Sequence, residues 1–103
     1  MASGRLGAAD LSATTNTTVY TVPANKTASV TITVCCRSTV GTAIRLALSA
    51  TGTPIAGEWL EYDTVLGYSG IIEHSGIVLA ATQNVVAYST NSSVNVIVVG
   101  VEE

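Results

Sequence analysis

Charge is what this chain has least of. Only 11% of its 103 residues are Asp, Glu, Lys or Arg, against about 25% in an ordinary soluble domain. A surface short of charge must be built from Thr, Ser, Asn and Ala. Such a surface is easier to bury against a partner, because desolvating charge is costly. The four cations, Arg5, Lys26, Arg37 and Arg45, are scattered, and the net charge is −3. Nucleic-acid binding needs clustered phosphate contacts, so none is expected. No apolar run approaches the roughly 20 residues that span a bilayer, so no membrane partner is expected. The opening "MASGRLGAADL" has no apolar core of a leader, and no signal peptide is expected. The Asn-x-Ser/Thr triplets at Asn16, Asn25 and Asn91 then read as polar turns and strand ends.

Cysteine and histidine are scarce too. Cys35 and Cys36 are adjacent, and His74 is the single histidine. On a strand, neighbours point to opposite faces. Cys36 then falls with Val30, Ile32 and Val34 in the core, and Cys35 with Thr31 and Thr33 outside. A disulfide between them would strain the peptide link. A metal site would want further ligands. Both thiols are expected reduced, with no metal and no cofactor. Glu73, His74 and Ser75 are consecutive and cannot converge from one strand. Neither a nucleophile elbow nor a phosphate loop is present, so no catalytic residue is assigned and the chain is not read as an enzyme.

What the chain does have is a period of two. Ala28, Val30, Ile32, Val34 and Cys36 alternate with polar residues, and Ile44, Leu46, Leu48 and Ala50 repeat the pattern. Alternation of this kind marks half-buried strands. Turn residues punctuate it at "VPANK", "STVGT", "ATGTP", "LGYSG" and "STNSS". Strands are predicted near 17–22, 27–37, 42–50, 58–64, 70–79, 84–90 and 93–101, with 51–69 the segment closest to loop. No stretch has a helical period with caps. The fold class is therefore all-β, an antiparallel sandwich of jelly-roll or Ig-like type. Residues 13–103 form the domain. Residues 1–12, without strand periodicity, are expected to be an extended N-terminal arm, with Arg5, Leu6 and Leu11 making attachments.

Two further features point outward. The last strands are apolar on both sides: Val94, Val96 and Val98 on one, Ile97, Val99 and Val101 on the other. Val86 and Tyr88 likewise oppose Val85 and Ala87. A two-layer sandwich buries one face per strand. If Val94, Val96 and Val98 face the core, then Val86, Tyr88, Ile97, Val99 and Val101 are left for a homo-oligomer interface, with a trimer favoured. The segment "GEWLEYD" gathers carboxylates around aromatic rings. Trp59, Glu61, Tyr62, Asp63 and the nearby Tyr68 form a candidate sugar- or receptor-binding surface. Strand parity would put Trp59, Glu61 and Asp63 on one side, and Glu58, Leu60 and Tyr62 on the other.

The run "LSATTNTTVYTVPA", Leu11 to Ala24, with the strand Lys26 to Val34, "LEYDTVL" at Leu60 to Leu66 and the terminal "GVEE", resembles small structural proteins of tailed bacteriophage particles. These are common among phages of marine and photosynthetic bacteria. Cys36 departs from the polar residue expected before Arg37. The resemblance implies a virion component assembled in the host bacterial cytoplasm. Two roles follow from it. One is a capsid decoration or cement protein whose partner is the major capsid protein. The alternative is a tail, baseplate or fibre component with a receptor- or carbohydrate-binding surface.

Overall fold

The computed structural model describes residues 2–103. Eight strands run in the order β1 (Ala2–Asp10), β2 (Thr17–Thr21), β3 (Ala28–Cys36), β4 (Thr42–Ser49), β5 (Trp59–Leu66), β6 (Ile71–Leu79), β7 (Asn84–Ser89) and β8 (Val94–Glu102). A single 3₁₀ turn, Ala56–Glu58, precedes β5. The strands form two four-stranded antiparallel sheets. The front sheet has the order β1-β8-β3-β6, and the back sheet β2-β7-β4-β5.

The alternation is what packs the two sheets together. β3 turns Val30, Ile32, Val34 and Cys36 inward, and β8 adds Val94, Val96 and Val98 from the same sheet. The back sheet answers with Ile44 and Leu46 from β4, Val85 and Ala87 from β7, and Tyr20 from β2. The core is almost wholly aliphatic. It needs no polar partner, apart from Tyr20, whose hydroxyl donates to Glu102 Oε2 at 2.5 Å and ties back sheet to front. Cys36 is buried, Cys35 is half-buried, and both are free thiols.

One segment departs from expectation. Ala2–Asp10 is not an arm lying apart from the domain. It is the edge strand β1, paired antiparallel with β8 from Ala2↔Glu102 to Asp10↔Asn95. Met1 lies outside the described residues. Of the three expected attachment residues, Leu11 is only 2% exposed and belongs to the core, and Leu6 packs against it. Arg5 alone stays exposed. The physical reason is the apolar edge of β8, which supplies a ladder of backbone donors and acceptors that a Gly- and Ala-rich segment can complete. Gly7 suits this position because a Cβ there would meet Val19 O at 2.5 Å, where β1 and β2 close one side of the sandwich. In the segment closest to loop, 51–69, the strand expected near 58–64 is present as β5, Trp59 to Leu66.

Candidate functional site

The expected ligand surface lies on β5, and a bulge decides its geometry. Asp63 has φ 54°, and the pairing with β4 slips between Ile44↔Thr64 and Leu46↔Glu61. Tyr62 and Asp63 therefore both oppose Arg45, two residues against one, as a β-bulge requires. A second slip follows, between Leu46↔Glu61 and Ala47↔Trp59. Strict alternation is lost, and the expected grouping of Trp59 with Glu61 and Asp63 fails.

Trp59, Tyr62 and Asp63 instead stand together on the outer face of the back sheet, around Arg45. The Arg45 guanidinium lies 4.2 Å from the Tyr62 ring centroid and 4.5 Å from that of Tyr88. Asp63 accepts from Arg45 Nε at 2.6 Å and from Nη2 at 3.3 Å. A planar cation held between two rings and paired bidentately is the geometry arginine favours over lysine. Trp59 meets Tyr62 edge to face, with centroids 5.2 Å apart and planes at 70°. With Ala56 of the 3₁₀ turn these two rings line a recess of about 340 Å³. That turn is held by Glu58, which accepts from Ile55 N at 3.0 Å and Ala50 N at 3.1 Å. These backbone hydrogen bonds, Ile55 first, hold its carboxyl below the ordinary carboxylate range.

Glu61 goes the other way. It pairs in register with inward-facing Leu46 and reaches across to β6, where its Oε2 lies 2.8 Å from His74 Nε2. The Thr64 hydroxyl donates to Oε1 at 2.6 Å. This cluster bridges the edge strands of the two sheets on the side where they lie open. The Thr64 hydrogen bond, with a smaller contribution from His74, holds Glu61 below the ordinary carboxylate range against the opposing effect of burial. Tyr68 is exposed in the β5–β6 turn, away from Trp59 at the far end of β5. The five proposed surface residues thus fall in three places. Arg45 and Ala56, which the sequence reading missed, complete the main one. Arg45 had a signal, a single cation on the outward parity of an apolar strand, but its aromatic neighbours depend on the bulge.

The five interface residues also divide. Ile97, Val99 and Val101 stand outward on the front sheet, in rows with Thr33, Thr31 and Ser29 of β3. Val78 and Ile71 of β6 extend the same face beside Ser29 and Cys35. Val86 and Tyr88 lie on the outer face of the back sheet, so one interface cannot hold all five. Val86 is moreover 0% exposed. It lies between Thr18 and Ala47 in register, and Gly52 of the β4–β5 loop comes near that Thr18, where an added Cβ would stand 3.7 Å from Oγ1.

Among the described residues no group of three or more His, Cys, Asp or Glu is placed to hold a metal ion. Compared with protein-family models, curated proteins and solved structures, the chain matches none.

Proposed function

We propose that this chain is a non-enzymatic structural protein of a tailed-phage particle, a capsid decoration protein that lays its front sheet on the shell. The observation that carries the reading is the outer face of that sheet. Its centre, β8 and β3, presents Ile97, Val99 and Val101 among Thr and Ser. Its charges lie at the periphery: Arg5, Asp10 and Glu73 on the edge strands β1 and β6, Arg37 just past β3 at one end and Glu103 just past β8 at the other. Arg37 pairs with Asp10 at one end. A neutral, partly apolar centre with a polar rim is how a binding surface is commonly arranged. The strand order supports the reading from a second side. The orders β1-β8-β3-β6 and β2-β7-β4-β5 are those of an eight-stranded jelly roll, two Greek keys in one double sheet, an architecture used in viral capsids.

Decoration works by mass action. Each copy stabilises the shell to the extent that it binds the intact form more tightly than the ruptured one. In the free protein the same face closes a homo-oligomer, a trimer in which every copy buries the same strip, and the shell takes the place of the neighbouring copies on docking. Copy number in purified virions tests the proposal. Hundreds per particle are expected. A few dozen or fewer would move the protein to the tail or a fibre, and absence from the particle would overturn the reading.

A further inference from the structure

The back sheet carries a second surface, on the side of the sandwich opposite the proposed docking face. We propose that the recess of Trp59, Tyr62 and Ala56 is a binding site for a neutral pyranose sugar. Three observations select that ligand. The walls are two aromatic rings meeting at 70° with centroids 5.2 Å apart, a corner that offers one ring face for stacking and a second as a side wall. The recess they line with Ala56, about 340 Å³, opens widely to solvent, so a ligand lies across the rings rather than inside a closed pocket. The charges around it are already matched within the protein. Arg45 is paired with Asp63, and Glu58 is held by the Ile55 and Ala50 amides.

That last point separates the candidates. A quaternary ammonium group also favours aromatic walls, but here it would sit beside the Arg45 cation, which already occupies one face of Tyr62. An anionic ligand would need a free cation, and the guanidinium of Arg45 is committed to Asp63. A ring with apolar C–H faces and a hydroxyl rim asks for neither. Its faces stack on the rings, and its hydroxyls meet the polar handles that Trp and Tyr carry. Tyr62 is 56% exposed and open to such a ligand. The site stands on the back sheet alone and does not depend on what the front sheet binds.

Trp59 is the only tryptophan, so its fluorescence reports the recess directly in the purified protein. Titration with methyl glycosides of neutral hexoses at millimolar concentration should give a saturable change. Glucuronate and choline should give little or none. Tyr62→Leu, which keeps an apolar side chain but removes the ring, should weaken the sugar response roughly tenfold with an unchanged circular dichroism spectrum. Should that variant misfold, saturation-transfer NMR on the wild type takes its place, with enhancements expected on the ring C–H protons of the sugar. Four outcomes would overturn the proposal: no response to any neutral pyranoside, a larger response to choline, a Tyr62→Leu protein that responds like wild type, or a Trp59 signal that follows protein concentration alone, which would mean a second copy fills the recess.

Discussion

Adjacent rows of β8 offer one substitution with two opposite results. Val96 is fully buried, between Ala9 of β1 and Val34 of β3. Val99 is 38% exposed, between Arg5 and Thr31. Val96→Glu forfeits the burial of a valine, roughly 1.5–3 kcal/mol. It also places an unpaired carboxyl in an aliphatic core, at a cost of several kcal/mol more even if it takes up a proton. The sum approaches the whole stability of a domain this size, about 5–15 kcal/mol. Val99→Glu gives up only part of a side chain already half in water, and it gains a cross-strand pair with Arg5, about 0.2–1 kcal/mol. Its net effect should fall within about 0.5 kcal/mol. Urea unfolding followed by Trp59 fluorescence measures both. With a slope of roughly 1–3 kcal/mol per molar, the Val96→Glu midpoint should fall by several molar or the protein should be unfolded in buffer. Val99→Glu should unfold near the wild-type midpoint but lose occupancy on particles and self-association. Equal losses from the two variants, or a stable Val96→Glu, would refute the assignment of inner and outer faces.

Other substitutions probe single features. Gly100→Ala would bring a Cβ to 2.0 Å from Ser29 O; β8 and β3 must part there, and a loss of a few kcal/mol in urea unfolding is expected. Tyr20→Phe removes the hydrogen bond to Glu102 and should cost roughly 1.5–3 kcal/mol, as bonds to charged groups do. Burial and Glu102 push the Tyr20 hydroxyl pKa far above its ordinary 10.0. Its contribution is therefore complete below pH 10 and is lost as pH rises above it, so alkaline unfolding curves of wild type and Tyr20→Phe should converge. Glu61 is lowered from 4.5. Its contribution is present above that value and is lost as pH falls toward the folded-state pKa, so Glu61→Gln should flatten the acid limb of a stability-against-pH curve.

Much of the fold was legible because the period of a strand is a local property. The alternation of β3 and β4 and the Gly-, Pro- and Asn-bearing turns sufficed for seven of the eight strands. They also put Val30, Ile32, Val34, Ile44 and Leu46 in the core, where they are buried; Leu48, next in the alternation of β4, is half-buried against it. β1 was not legible, since Ser3–Asp10 has no β-branched residue and becomes a strand only because β8 presents an open edge to it. The aromatic site was legible in its residues but not in its arrangement. Trp59, Tyr62 and Asp63 stand out in the sequence, while their gathering around Arg45, and the turning of Glu61 toward His74, follow from bulges opposite β4. Which apolar row of β8 faces in is likewise settled by pairing between distant segments. A run of side chains encodes its own period, but its register against a partner is a choice between segments far apart in the chain. One residue of slip exchanges the two faces, so the surfaces this protein can offer a partner were decided only when the sheets closed on each other.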